Sequence, residues 1–100
     1  MIVDRQKVLE ALRAKRKHIE QHYGLRMIGI VGSVARGEAT EKSDIDIIVD
    51  VTGRPTLFSL SRAERDLAQA IDVGLPVDLV LREGMRAASR EFIERDLIVL

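Results

Sequence analysis

The sequence contains no cysteine, carries no formal net charge and has no long uninterrupted apolar run. Without cysteine, a disulfide framework, a thiolate zinc site and a cysteine nucleophile are all excluded. Lysine plus arginine equals aspartate plus glutamate at 16 each, so overall charge gives no reason to expect nucleic-acid or anionic-membrane binding. The N-terminus lacks the apolar core of a signal peptide. We therefore expect a soluble, cytoplasmic protein with no membrane contact and no direct nucleic-acid contact.

The chain length of 100 residues suits a single domain, residues 1–100, with one hydrophobic core. It is too short to hold both a catalytic domain and a sizeable second domain that binds an acceptor molecule. If the protein is a transferase, we expect its acceptor to bind on an open face of the domain or to arrive as a folded partner.

The most informative stretch begins with Gly-Ser at the end of an apolar run. Leu25 to Val31 is rich in branched apolar residues and predicts a buried strand, which Gly32 and Ser33 interrupt. If a short helix begins at Ser33, its hydroxyl and the first free backbone N–H groups point above the strand end, an arrangement that suits phosphate. Gly32 has no Cβ, so a phosphate could approach the backbone closely.

Ten residues later, Asp44 and Asp46 open a second apolar run, which gives the pattern G-S-x10-D-x-D. Side chains alternate along a strand, so both aspartates share one face with Ile48 and Asp50. Their oxygens could converge on one Mg²⁺ or bridge two ions. The plainer alternative is that Gly-Ser is an ordinary turn and that the aspartates simply face water.

Two further residues extend this candidate site. Asp78 lies in the middle of a third apolar run, Leu75 to Leu81, where a charge is costly unless it is paired or bound to metal. If that strand lies beside the Asp46 strand, Asp78 joins the other two carboxylates. Arg36 falls close to the predicted phosphate site; it could contact the outer phosphates, pair with Glu38 or project into water.

The remaining elements follow from periodicity and capping residues. The short connection between the first two strands predicts an antiparallel pair. The pattern as a whole predicts an α/β (α+β) domain with a small mixed sheet. The predicted segments are a helix from the N-cap Asp4 to about His22, a helix from Thr56 or Ser59 to about Val73 ended by Gly74, a last helix from Met85 to Glu94, and Leu97 to Leu100 as an edge strand or a surface covered by another subunit.

The segments GSVARGEATEKSDIDIIVDV and PVDLVL resemble the nucleotidyltransferase superfamily of the DNA polymerase beta type. The resemblance is greatest to its minimal nucleotidyltransferases, the antitoxin partners in HEPN/MNT toxin–antitoxin pairs. It implies the nucleotidyltransferase fold, with Asp44, Asp46 and Asp78 as catalytic residues that bind two Mg²⁺ ions. It also implies that Gly32 and Ser33 hold the β- and γ-phosphates of ATP.

The resemblance further implies an activity and a partner. A minimal member transfers AMP from ATP to a tyrosine hydroxyl of its cognate HEPN ribonuclease, which neutralises that toxin. One alternative is an antitoxin that neutralises its partner by binding alone, with no catalysis. Another is a small nucleotidyltransferase that acts on an antibiotic or an RNA end, although the absence of an acceptor domain counts against it.

Overall fold

The computed structural model describes residues 3–100, except for the side chain of Phe92. Within this range the chain alternates helices with strands. The elements are α1 (Arg5–Tyr23), β1 (Leu25–Val31), α2 (Gly32–Arg36), β2 (Ile45–Val51), α3 (Leu57–Ile71), β3 (Val77–Leu81), α4 (Ala87–Asp96) and β4 (Ile98–Val99).

The strands form one four-stranded mixed sheet in the order β3-β2-β1-β4. β1 is antiparallel to both β2 and β4, whereas β2 and β3 are parallel. The predicted mixed sheet and the predicted antiparallel pairing of the first two strands are therefore confirmed. The last apolar segment contains the edge strand β4, which confirms one of the two alternatives predicted for it.

A β-bulge in β1 changes which side chains face each side of the sheet. The pairing runs from Met27 opposite Val49 to Gly29 opposite Ile48, so Ile28 is an extra residue on β1. An extra residue reverses the alternation beyond it. Met27 therefore packs in the main core, but Val31, four residues further on, faces the opposite side of the sheet.

The helix ends follow the expected capping chemistry. The Asp4 side chain accepts hydrogen bonds from the backbone N–H groups of Gln6 (3.0 Å) and Lys7 (3.4 Å), which confirms it as the N-cap of α1. Thr56 rather than Ser59 caps α3, since its Oγ1 accepts from the Ser59 N–H at 3.2 Å.

Three predicted helices have boundaries that are wrong by one or two residues. α3 ends at Ile71 because Asp72 takes the left-handed conformation (φ 54°), ahead of the predicted stop at Gly74. Aspartate tolerates this conformation better than most residues with a Cβ. α2 begins at Gly32 rather than Ser33, and α4 spans Ala87–Asp96 rather than Met85–Glu94.

The main core lies between one face of the sheet and the helices α1 and α3. Asp66 on α3 joins the two helices at the core's edge: it pairs with Lys15 (2.7 Å) and lies within hydrogen-bond distance of His18 (3.1 Å) and the Tyr23 hydroxyl (3.2 Å). No helix in residues 3–100 is long and apolar enough to cross a membrane. The fully buried core residues include Val8, Leu12, Ile19, Leu25, Ile30, Ile45, Ile47, Val49, Leu67 and Ile71.

The helix α4 lies over the other face of the sheet, next to Met85 and Leu97. Ile48 on this face is buried (2% exposed), and it lines a small cavity together with Ile93 of α4 and Leu97. No residue of α4 whose side chain is described is itself buried. Among the described residues, Val31 and Ile48 are buried on this face, and most buried residues belong to the core face.

Truncating the core should destabilise the fold far more than truncating an exposed side chain of the same helix. Leu67→Ala should lower the free energy of unfolding by about 2–5 kcal/mol, because Leu67 is fully buried and its loss leaves a cavity. Leu57→Ala is the matched control, since Leu57 is 84% exposed and should change stability by no more than about 0.5 kcal/mol. Urea unfolding followed by circular dichroism measures both; equal losses would contradict the assigned core.

Candidate active site

The centre of the candidate site is the contact between Gly32 and Asp46. Asp46 is paired with Val31 across the antiparallel β1–β2 ladder, so its carboxylate lies beside the first residue of α2. A Cβ added to Gly32 would collide with Oδ2 of Asp46, and Gly32 also has a φ of +77°. The positive φ favours glycine here, whereas the Asp46 carboxylate is the end of a side chain and could rotate away from a Cβ. The Gly-Ser turn and the Asp-x-Asp pattern, twelve residues apart in the sequence motif, therefore meet in space.

The parallel ladder brings in the third predicted acid. Asp78 of β3 is the direct register partner of Asp46 of β2, so the predicted adjacency of these strands is confirmed. Paired residues of neighbouring strands project to the same face of a sheet. The expectation that Asp78 is a costly buried charge is wrong: Asp78 is exposed, because β3 is an edge strand of the sheet.

The three acids repel one another. Partial burial raises the pKa of the Asp46 carboxyl, and the negative charges of Asp78 and Asp44 raise it further, against a smaller opposing effect of Arg36. Within residues 3–100, no lysine, arginine or histidine forms an ion pair with any of the three acids. The site thus holds an excess of negative charge on a half-buried surface.

This charge distribution fits a divalent cation. Carboxylate oxygens are the ligands that Mg²⁺ prefers, and a cation between like-charged groups removes their repulsion. Among the described residues, however, no three acidic or histidine side chains lie close enough together to bind one metal ion as they stand. Sheet register fixes the spacing of the Asp46 and Asp78 backbones, whereas aspartate carboxylates can be redirected by rotation about χ1 and χ2. The donor set therefore suits Mg²⁺ once the side chains turn inward.

Arg36, the last residue of α2, lies at the same site as Gly32 and Asp46. Its Nε donates to Glu38 Oε2 at 3.1 Å, which confirms the predicted pairing with Glu38. Its Nη1 donates to Asp96 Oδ2 at 2.8 Å. These hydrogen bonds, first that to Asp96 and then that to Glu38, raise the pKa of Arg36. Arg36 lines the same cavity as Gly32, and this position is compatible with the phosphate contact that was also predicted for it.

A cavity of about 170 Å³ lies beside Gly32, Arg36 and Asp46, whereas Ser33, Asp44 and Asp78 do not line it. It is lined by both polar and apolar groups, and Ser33, next to Gly32 in α2, is partly buried. The first turn of α2 has no side-chain cap, so its backbone N–H groups are open to a ligand. The lining residues are Val31, Gly32, Arg36, Asp46, Val80, Ile93 and Asp96.

Asp50 was predicted to share the face of Asp46, and it lies in a different region of that face. Two hydrogen bonds from the Arg82 guanidinium reach its carboxylate, one of them from Nε at 2.9 Å. The pair lines a larger cavity of about 470 Å³ at the opposite end of β2, together with Arg26 and Arg90. That cavity lacks the Gly-Ser turn and Asp46, so its size does not make it the candidate site.

Comparison with known proteins decides the family. The family model described as "Nucleotidyltransferase domain" matches residues 7–100. The chain belongs to the nucleotidyltransferase domain family. The predicted superfamily is thereby confirmed, and the chain is a nucleotidyltransferase. Among curated relatives, the protein adenylyltransferase MntA of Thermococcus cleftensis is 36% identical over 87 residues, which cover 87% of this chain and 86% of that protein.

Solved structures confirm the predicted nucleotidyltransferase fold. A structure described as that of a minimal nucleotidyltransferase superposes with a TM-score of 0.68 at 36% identity, covering 92% of this chain and 95% of that chain. A crystal structure of a toxin–antitoxin with AMP-PNP superposes with a TM-score of 0.57 at 26% identity, covering 86% of this chain and 63% of that chain.

Sequence reasoning missed the contribution of α4 to this site. Asp96 and Ile93 line the cavity, although the sequence around them carries no recognisable motif. Asp96 is 60 residues from Arg36 in the sequence, so only the packing of α4 against α2 brings them together. Val80 also lines the cavity, and it lies two residues after Asp78 on β3, where strand alternation gives the two residues the same face.

Removing the charge of Asp46 should stabilise the metal-free protein. A folded-state pKa above the unfolded value of about 3.9 means that the native state binds the proton more tightly. Stability is therefore lost as pH rises from the unfolded pKa through the folded pKa. Asp46→Asn should be more stable than the wild type at pH 7 in EDTA, and the difference should vanish below about pH 3.9.

Urea unfolding at pH 7 and pH 3 measures this difference. Asp72→Asn is the matched control, because Asp72 is exposed at the end of α3, where asparagine also accepts the left-handed conformation. A wild type that is as stable as Asp46→Asn at pH 7, or a gain that persists at pH 3, would contradict the assigned repulsion.

Proposed function

We propose that this chain is a Mg²⁺-dependent protein adenylyltransferase antitoxin. It transfers AMP from ATP to a tyrosine of a cognate HEPN ribonuclease toxin and so neutralises that toxin. The observation that carries this proposal is the position of Asp46, which contacts Gly32 on one side and pairs with Asp78 on the other. A phosphate-binding turn and a set of carboxylates are thereby joined in one open site.

Each residue has a role in the proposed reaction. Gly32 and Ser33 would hold the β- and γ-phosphates of ATP through the uncapped N–H groups of α2, with Arg36 at the outer phosphates. Asp44 and Asp46 would hold both Mg²⁺ ions, and Asp78 would share the ion nearest the acceptor. When bound, Mg²⁺ neutralises phosphate charge and lowers the pKa of an attacking hydroxyl.

The acceptor hydroxyl attacks the α-phosphorus, and the bond from the α-phosphorus to the bridging oxygen breaks, so that pyrophosphate leaves. Asp78 would receive the acceptor proton, and its exposure beside Asp46 supports this role. No side chain of this chain needs to form a covalent intermediate. The role of this chain is to hold the phosphates, bind the cations and accept one proton.

The exposure of the site supports a macromolecular acceptor. Asp78 lies on an edge strand and is open to solvent, so a tyrosine on the surface of another folded protein can reach it. The similar protein from Thermococcus cleftensis is named a protein adenylyltransferase, and a similar solved structure is a toxin–antitoxin with AMP-PNP. Both names agree with ATP as donor and a toxin as partner.

Intact-mass spectrometry of the co-purified or genetically neighbouring partner tests the transfer. After incubation with this protein, Mg²⁺ and ATP, the partner should gain the mass of one or more AMP units on tyrosine. Asp44→Ala/Asp46→Ala should abolish the gain, because the variant loses its cation ligands. If the wild type leaves the mass of the partner unchanged and the double variant still neutralises the partner, this chain is instead an antitoxin that acts by binding alone.

Mg²⁺ alone should stabilise the wild type, because a cation that binds only the native state raises its thermal midpoint by mass action. Differential scanning calorimetry with 0 and about 10 mM MgCl₂ should show an upward shift that Asp46→Asn loses. Asp72→Asn should keep the full shift. Identical shifts in the wild type and Asp46→Asn would argue against Asp46 as a cation ligand.

A further inference from the structure

Asp96 holds the side chain of Arg36 in a defined place. The hydrogen bond from Arg36 Nη1 to Asp96 Oδ2 measures 2.8 Å, and the Asp96 side chain is only 22% exposed. The second partner, Glu38, is 67% exposed and lies two residues from Arg36 on a turn. Charge-assisted hydrogen bonds are strongest where water competes least. Asp96 is therefore the stronger anchor of the two.

The anchored guanidinium still has donors to offer. It carries five N–H groups in a planar fork, of which Nε–H is directed to Glu38 and one Nη1–H to Asp96. Arg36 lines the same cavity as Gly32 and Asp46, so its remaining donors are close to the proposed phosphate site. Two or more parallel N–H groups are well suited to phosphate oxygens.

Anchoring matters because arginine is long and flexible. A free arginine loses much rotamer freedom when it binds a phosphate, and that loss weakens binding. An arginine already held by a carboxylate has lost that freedom before the ligand arrives. Asp96 belongs to α4, so its contact with Arg36 also ties α4 to the Gly-Ser turn.

We propose that Asp96 is a positioning residue for nucleotide binding: it preorganises Arg36 beside Gly32 and Asp46, and thereby strengthens the hold on the outer phosphates. This inference rests on the proposed function, since it assumes that a nucleoside triphosphate occupies the cavity. Asp96 itself contacts Arg36, and its effect on the nucleotide passes through that residue.

Calorimetric titration with AMP-PNP and Mg²⁺ tests the proposal on the full chain. Asp96→Ala should raise the Kd about two- to fivefold, in line with a partly exposed ion pair. Asp96→Glu should recover most of the affinity, because it restores the carboxylate. Glu91→Ala is the matched control: Glu91 is an exposed acid of the same helix with no ion pair among residues 3–100, and its Kd should equal the wild-type value.

A double-mutant cycle separates positioning from a general structural effect. In an Arg36→Ala background, Asp96→Ala should cause no further increase in Kd, because the residue through which it acts is absent. Melting curves confirm folding, and Asp96→Asn replaces Asp96→Ala if the latter is unfolded. The asparagine keeps the size of the side chain but loses its charge, so a smaller increase in Kd is expected.

Each other outcome overturns the proposal. An unchanged Kd in Asp96→Ala would show that Arg36 needs no anchor, and a lower Kd would show that Asp96 competes with phosphate for Arg36. An equal increase in both backgrounds would make Asp96 merely structural. In these three cases nucleotide binding by the wild type leaves the proposed function standing, whereas a wild type that binds no AMP-PNP overturns both.

Discussion

The position of β2 between two neighbours of opposite direction is the constraint on which the site depends. Asp46 pairs with Val31 on the antiparallel side and with Asp78 on the parallel side. Its carboxylate consequently touches the Gly-Ser turn and lies beside a second acid. Strand pairing alone, and not a long loop, sets the position of Asp46. A shift of one residue in either ladder would turn Asp46 toward the core or away from its partners. Strand register therefore sets the chemistry of this domain.

The bulge at Ile28 makes that register possible, and it is the part of the fold that the sequence does not reveal. Strands were predicted from apolar runs, and helices from capping and periodicity, with errors of one or two residues at the ends. The segment LRMIGIV is largely apolar, so it contains no alternation from which a bulge could be read. Only pairing with Val49 and Ile48 shows that the facing reverses after Met27.

The candidate site was predictable where its chemistry is local in the sequence. Gly32, Ser33, Asp44 and Asp46 form one motif, and Asp78 stands out as an acid in an apolar run. The environment of Asp78 was not predictable, because an apolar run does not distinguish an edge strand from a central one. Glu38 was foreseen as a partner of Arg36, whereas Asp96 was not, because helix packing over 60 residues leaves no spacing pattern. Long-range contacts of side chains are thus the part that sequence reasoning misses.

The alternation of β2 also explains how the domain tolerates an unneutralised acidic site. Ile45, Ile47 and Val49 are fully buried under α1 and α3, whereas the side chain of Asp46, which lies between Ile45 and Ile47 in the sequence, projects to the opposite face. Partial burial raises the pKa of Asp46, and the charges of Asp78 and Asp44 raise it further, so the ionised form of Asp46 costs stability in the metal-free protein. Apolar burial on the other face of the same strand stabilises the sheet and offsets that cost.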